Sequence, residues 1–138
     1  MDYLPDTNII TAWLKRDENV LKKTEVVSSS GDKILISTIS YYETKRGLLA
    51  TKATTKMARF EAILQDYEMI GIDSDKVLDK ASEIYAHLKQ CGKLLPDADI
   101  FIAAIALVYN LTLVTNDSHF DRIEGLQLEN WLKYPVNP

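Results

Sequence analysis

Four carboxylate side chains lie at positions where a chain of alternating strands and helices would bring functional groups together. They are Asp6, Glu43, Asp99 and Asp117. Asp6 follows the short apolar segment Tyr3-Leu4-Pro5, and Asp117 closely follows the strand-like segment 111–115. In an open parallel sheet, functional groups gather outside the carboxyl ends of the strands. A group of carboxylates without nearby cations is stabilised by a divalent ion, and Mg²⁺ and Mn²⁺ prefer oxygen ligands. The pattern therefore favours metal-dependent phosphodiester chemistry.

Helix capping is the simpler interpretation of several of these acids when each is taken singly. Asp6 and Asp117 both precede segments that could begin a helical turn, where aspartate is a good N-cap. Asp97 and Asp99 follow Pro96 in a first helical turn, where free N–H groups and the helix dipole favour carboxylates. Capping explains one of these two acids well and a second one less well. Both interpretations stay open at this stage.

Asp99 and Glu43 carry the stronger indication of a site. The helix that Asp99 opens is apolar nearly all round over residues 100–108, so it is expected to be buried on most sides. A carboxylate at the rim of such an element costs several kcal/mol, on the order of a buried unpaired charge, unless it is paired or bound to metal. Glu43 has one local candidate partner, Arg46, three positions on. That pair is the main alternative to a functional role for Glu43.

Length and composition favour one globular domain over residues 1–138. The chain has 46% hydrophobic and 26% charged residues, which is typical of folded proteins. Its single cysteine, Cys91, excludes an intramolecular disulfide and a cysteine-based zinc site. The longest apolar stretch, residues 100–109, is about half the length needed to cross a bilayer. We therefore expect a cytoplasmic protein without a membrane span.

The charge balance limits how the chain could bind nucleic acid. With 16 basic and 20 acidic residues, the net charge is −4, whereas dedicated nucleic-acid binders are usually basic. An acidic active site contributes negative charge that a bound metal cancels locally. Affinity for nucleic acid should then depend on local basic patches. The candidates are Lys15-Arg16, Lys45-Arg46 with Lys52, Lys56 and Arg59, and the pair His119 and Arg122.

Hydrophobic periodicity predicts alternating strands and helices. Strands are expected at residues 2–4, 34–36, 69–72, 111–115 and 126–128, and helices over 7–15, 18–28, 38–50, 54–67, 73–90 and 96–109. Trp131 and Leu132 are expected to close the core. This alternation predicts an α/β fold, a three-layer α/β/α arrangement with a central, mostly parallel sheet of about four or five strands. No glycine-rich phosphate loop is present, which argues against dinucleotide or nucleoside-triphosphate binding.

Four segments carry the acids in a familiar order. They are Tyr3-Leu4-Pro5-Asp6-Thr7-Asn8; residues 36–43 ending in Glu43, with Gly47; residues 96–104 with Asp97 and Asp99; and residues 113–117 with Phe120, followed by Gly125-Leu126 and Asn130-Trp131. Together they resemble the PIN-domain nucleases, and most closely the VapC toxins of bacterial toxin–antitoxin pairs. The resemblance spans nearly the whole chain. Pro5 departs from it, because an aliphatic residue is more usual before the first acid.

The resemblance implies a ligand set and a reaction. Asp6, Glu43 and Asp99 would be the three principal acids and Asp117 the fourth, holding one or two Mg²⁺ or Mn²⁺ ions. Thr7, Asn8, Thr115 and Asn116 would orient the carboxylates, and Asp97 would be an auxiliary acid or only a cap. Apart from the resemblance, His119 is a weaker candidate for contact with substrate phosphate, because it lies next to Asp117. The implied reaction is hydrolysis of an RNA phosphodiester to give a 5′-phosphate and a 3′-hydroxyl.

The resemblance also implies partners: RNA as substrate, a second copy in a homodimer, and a small VapB-type antitoxin that blocks the acidic groove. Candidate residues for these surfaces are Trp13, Leu48, Leu49, Phe60 and Leu64, with core packing as the default alternative for each. Two other functions stay open. One is a catalytically inactive PIN-like module that binds RNA or protein. The other is a haloacid-dehalogenase-like phosphohydrolase, which needs an Asp-x-Asp pair where this chain has Asp6-Thr7-Asn8.

Overall fold

Five short parallel strands form the centre of the molecule. The structure, a computed structural model, describes residues 1–134; residues 135–138 of the expected domain lie outside them. The strands are β1 (Tyr3–Pro5), β2 (Ile36–Ser37), β3 (Met69–Ile70), β4 (Thr112–Val114) and β5 (Leu128–Glu129). β1, β4 and β5 pair in parallel, as do β2 and β3, and a parallel bridge between Tyr3 and Ile34 connects the two groups. The order is β5-β4-β1-β2-β3, which confirms the expected α/β fold.

Six α-helices connect these strands within the described residues. They are α1 (Thr7–Leu14), α2 (Glu18–Ser30), α3 (Thr38–Ala50), α4 (Thr54–Asp66), α5 (Asp75–Gln90) and α6 (Asp97–Val108), with 3₁₀ turns at Ser118–Arg122 and Trp131–Lys133. The helix ends agree with the periodicity to within about two residues. Gly31 ends α2, because its φ of 83° is one that glycine adopts without strain.

Pro5 shapes the sheet at the point where β1 ends. The N–H groups of successive residues in a strand point to opposite neighbours: that of Tyr3 bonds Lys33 on the β2 side, and that of Asp6, three residues on, bonds Val114 of β4. Pro5 occupies the position whose N–H would next face β2, and proline has none. The pairing of β1 with the β2 segment is correspondingly limited to the bridge at Tyr3 and Ile34.

The sheet separates two apolar clusters. Successive side chains of a strand point to opposite faces, so Leu4 packs with α5 and α6 while Tyr3 packs with α1, α2 and α4. Trp131 is 1% exposed and belongs to the second cluster, as expected from the sequence. Three of the five residues considered for partner surfaces are core residues, Trp13, Leu48 and Phe60, whereas Leu49 is 61% exposed and Leu64 is partly buried. No helix within residues 1–134 is both long and apolar enough to cross a membrane.

Candidate active site

Asp6 is fixed at the carboxyl end of β1, where its side chain is almost fully buried at 4% exposure. One carboxylate oxygen accepts the backbone N–H of Ile9 at 3.0 Å, so Asp6 is the N-cap of α1. The other accepts the hydroxyl of Thr115 at 2.5 Å. Thr115 directly follows β4, the parallel neighbour of β1, so the adjacent strand ends bring these two residues together. Asp6 therefore caps a helix and also contributes a buried carboxylate to the end of the sheet.

Asp117 is connected to Asp6 through the same threonine. Its backbone N–H donates to Thr115 Oγ1 at 3.0 Å. Its carboxylate accepts the backbone N–H of His119 at 2.8 Å and lies 3.2 Å from the Nδ1 atom of that ring. Thr115 thus donates to one acid and positions the backbone of the other. Asp117 therefore caps the 3₁₀ turn and also belongs to the acidic group.

Glu43 reaches the group from α3. The hydroxyl of Thr7, the first residue of α1, donates to Glu43 Oε1 at 2.6 Å and also lies 3.2 Å from the hydroxyl of Ser40. The other oxygen of Glu43 is 3.6 Å from a guanidinium nitrogen of Arg46. Because Thr7 follows Asp6 in sequence, its bond to Glu43 ties the second acid to the first. Glu43 thus forms the local ion pair with Arg46 and also bonds Thr7.

Asp99, in the first turn of α6, is half-buried, and its pKa lies well above the usual value of an aspartate. Its pKa is raised to about 6, first by burial and then by the negative charges of Glu43, Asp117 and Asp6 in that order, against a smaller opposing effect of His119. Like charges have this effect only when they lie near one another. The four acids, which are far apart in sequence, therefore share one electrostatic environment.

The pKa of Asp6 is also raised. Burial is the main cause, and the hydrogen bonds from Thr115 and the Ile9 N–H oppose it. The charge of Asp117 adds to the increase, and the backbone N–H of Asn8 lowers it slightly. Two of the four acids thus hold their protons more tightly than they would in water.

The residues fit a hard divalent cation by their chemistry. All four are oxygen donors, and a cation would relieve the repulsion that raises the pKa of Asp99. As the side chains stand, no three Asp, Glu, His or Cys residues within the described 1–134 meet at the spacing of a complete metal site. Glu43 and Asp117 are partly exposed, so an ion from solvent can reach them.

The other residues expected at the site are distributed unevenly. Thr7 and Thr115 bond two of the acids, as described above. The side-chain oxygen of Asn116 instead accepts the amide of Asn130 at 2.7 Å. Asn8 is exposed and offers its backbone N–H toward Asp6, and Asp97 is exposed beside α5 in a cleft that Tyr85 also lines.

Sequence reasoning assigned no role to Ser37 or to Asn130, although Asn130 is one of the residues that carry the resemblance. Ser37 caps α3 by accepting the backbone N–H of Ser40 at 2.9 Å, which fixes the helix turn that precedes Glu43. Asn130 caps the final 3₁₀ turn through Leu132 while it holds Asn116. The capping preference of serine and asparagine before a helical turn is the signal that could have identified both positions.

Comparison with known proteins finds related sequences over nearly the whole chain. The family described as "PIN domain" matches residues 3–126. Ribonuclease VapC2 of Rickettsia felis is 32% identical over 136 residues, covering 96% of this chain and all of that protein. Ribonuclease VapC1 of Haemophilus influenzae is 26% identical over 134 residues, with 96% of this chain and all of that protein covered.

Solved structures agree with the sequence comparison. VapBC2 from Rickettsia felis, bound to a DNA fragment from its promoter, superposes with a TM-score of 0.87 at 30% identity, covering 95% of this chain and 99% of that one. VapBC-1 from nontypeable Haemophilus influenzae gives a TM-score of 0.83 at 26% identity, covering 96% and 100%.

Proposed function

The chain belongs to the PIN domain family, and on that premise we propose that it is a metal-dependent endoribonuclease, acting as one PIN domain over residues 1–138. The observation that supports the proposal is the grouping of the four acids: Thr115 bonds Asp6 and the Asp117 backbone, Thr7 bonds Glu43, and the charges of these acids raise the pKa of Asp99. Perturbed acids gathered at the carboxyl ends of strands are characteristic of functional sites. The names of the related ribonucleases support the same reaction class.

Asp6, Glu43, Asp99 and Asp117 would hold one or two Mg²⁺ or Mn²⁺ ions. When bound, such an ion lowers the pKa of a coordinated water and neutralises charge on the phosphoryl oxygens. Thr115 and the Ile9 N–H keep the carboxylate of Asp6 in place, and Thr7 does so for Glu43. These bonds restrict the rotamers of two acids before substrate arrives, which is the usual role of groups that contact metal ligands.

Hydrolysis at this site needs no nucleophile from the protein. The attacking oxygen comes from water, and breaking the bond between phosphorus and the 3′ oxygen leaves a 5′-phosphate and a 3′-hydroxyl. Asp99 has to lose its proton before it can bind a cation, so its raised pKa makes cation binding strengthen as pH rises through about 6.

We further propose that the protein is a VapC-type toxin that acts on RNA in the cytoplasm, forms a homodimer and is neutralised by a VapB-type antitoxin. The support is similarity to chains solved as VapBC assemblies over nearly their full length. Leu49, which is 61% exposed on α3, stays a candidate for one of these surfaces. The second candidate function, a binding-only PIN module, would keep the fold without needing the four acids together.

The deciding experiment is cleavage of total RNA by purified protein with Mg²⁺ or Mn²⁺, beside an EDTA control. Asp99→Asn should abolish cutting. Asp79→Asn, which removes the same charge from an exposed position on α5, should retain it. Cutting by Asp99→Asn at the wild-type rate would contradict the proposed role of the acids. An absence of both cutting and Mn²⁺ binding in the wild-type protein would favour the binding-only module.

A further inference from the structure

An exposed aromatic side chain borders the acidic group. Tyr42, on α3, is 60% exposed although tyrosine is a large and partly apolar residue. Arg46 lies one helical turn further on, and its guanidinium is 5.0 Å from the centroid of the Tyr42 ring. A planar cation held over an exposed aromatic ring presents two flat, polarisable groups to the solvent. Neither group is needed for the apolar core.

The position of this pair connects it with the proposed reaction. Tyr42 immediately precedes Glu43, and a guanidinium nitrogen of Arg46 is 3.6 Å from a carboxylate oxygen of Glu43. A second cation–aromatic pair on the same helix, Lys45 and Tyr41 at 5.3 Å, lies on the side of α3 that faces Phe60 of α4 and not beside Glu43. In a chain with a net charge of −4, Tyr42 and Arg46 therefore place an aromatic ring and a positive charge next to the acids.

We propose that Tyr42 and Arg46 form a stacking platform for one unpaired nucleobase of the RNA substrate, next to the phosphate that is cut. The inference rests on the proposed ribonuclease function and adds a binding site to it. Single-stranded RNA is recognised by splaying bases onto aromatic rings and guanidinium planes. The platform would hold the chain at the site without reading a particular base, because every base has a face that can stack.

The charge of the platform favours RNA over a protein partner as its occupant. Covering Arg46 with an apolar protein surface would remove a charged group from water at a substantial cost. A nucleotide instead offers a flat base to the ring and a nearby phosphate to the guanidinium. The phosphate would also give Arg46 a negatively charged partner when Glu43 binds a cation. If a protein partner covered this face instead, Tyr42→Ala would weaken binding of that partner and leave the KM for RNA unchanged.

The first experiment compares steady-state cleavage by Tyr42→Ala, Tyr42→Phe and the wild-type protein. Loss of one stacked base is expected to raise KM for a single-stranded RNA by about 5- to 150-fold in Tyr42→Ala, while Tyr42→Phe keeps a ring and stays within about twofold of wild type. Tyr85→Ala is the matched control, because Tyr85 is 44% exposed on α5. A Tyr42→Ala variant with the KM of Tyr85→Ala would overturn the proposal.

The second experiment measures binding directly. Tyr42→Trp in an Asp99→Asn background places an exposed indole at the platform, while both native tryptophans are at most 7% exposed. Stacking should quench its fluorescence on titration with oligoadenylate and with oligouridylate, and much less with a duplex of the two. Equal quenching by single strands and duplex, or no quenching, would refute a stacking platform.

The two levels of inference fail in different ways. If the wild-type protein cuts RNA but neither KM nor fluorescence responds to changes at Tyr42, the platform is wrong and the nuclease stands. If the wild-type protein does not cut RNA in either metal while the introduced tryptophan is still quenched by single strands, the platform stands as part of a binding-only module. Loss of antitoxin binding in Tyr42→Ala, with unchanged KM, would assign this face to the protein partner and reject the platform.

Discussion

Replacing Asp99 by asparagine should stabilise the metal-free protein while abolishing its activity. The pKa of Asp99 is raised from 3.8 to about 6, chiefly by burial and by the charge of Glu43. The folded protein therefore holds this proton more tightly than the unfolded chain does. Above about pH 6 the ionised carboxylate opposes folding, and this opposition fades as the pH falls toward 3.8. Asparagine cannot ionise, so it escapes the penalty.

The size of the effect follows from the same shift. At about 1.4 kcal/mol for each pKa unit, a fully buried carboxylate with this shift would lower the free energy of unfolding by about 3 kcal/mol at neutral pH. Asp99 is only half-buried, and solvent screening reduces the expected penalty to about 1 kcal/mol. For a chain of this length, that corresponds to an increase in Tm of about 3 °C.

The assay is thermal unfolding in EDTA at neutral pH and again near pH 4, where the gain should disappear. Asp97→Asn is the matched control, since Asp97 lies in the same first turn of α6 but is exposed. It loses only the interaction of a carboxylate with the helix dipole, so it should be neutral or slightly destabilised. Saturating Mn²⁺ should reverse the ranking, because ligand binding stabilises the wild-type protein and not Asp99→Asn. An Asp99→Asn variant less stable than Asp97→Asn in EDTA at neutral pH would refute the repulsion reasoning.

Three further expectations test other parts of the molecule. Thr115→Val removes a hydroxyl that donates to Asp6 and accepts from the Asp117 N–H, so it should lower the free energy of unfolding by about 1 to 3 kcal/mol and slow cleavage. Urea unfolding measures the stability and an RNA cleavage assay measures the rate. Unchanged cleavage would show that Asp6 does not need the Thr115 hydroxyl. Mn²⁺ affinity, followed by calorimetry, should rise as pH increases through about 6, because Asp99 must be deprotonated to bind; an affinity that is constant across that range would exclude Asp99 as a ligand. Arg46→Gln should weaken binding of single-stranded RNA and make the slope of log affinity against log salt shallower by about 0.7, the value for one lost phosphate contact. Lys76→Gln, at an exposed position on α5, is the control and should leave the slope unchanged.

Local sequence signals were sufficient for most of the fold. The apolar stripe of α5, Val77, Ala81, Ile84 and Leu88, is buried as its spacing predicts. Helix periodicity is a property of neighbouring residues, so it can be read without knowing the rest of the structure. The end of α2 is set just as locally: Ser29 and Ser30 stay helical beyond the predicted end at residue 28, and Gly31 adopts the left-handed conformation that ends the helix.

Partner surfaces could not be read in the same way. Leu48 and Leu49 are neighbours of the same residue type, yet one is 8% exposed and the other 61%. Which of them enters the core depends on the side from which α1 and α4 pack against α3, a contact made by residues distant in the chain. Asn116 shows the same limit, because its partner Asn130 lies beyond two turns and a strand.

The sequence by itself determined the residue types, their order and the elements that carry them: acids at the ends of strands and at the starts of helices, within an alternating α/β chain. The tertiary structure alone decided that these acids share one site. Parallel pairing of β1 with β4 brings Thr115 to Asp6, and packing of α1 on α3 brings Glu43 to Thr7. Electrostatic repulsion depends on distance in space, so the raised pKa of Asp99 arises only when chain folding has placed the four charges together.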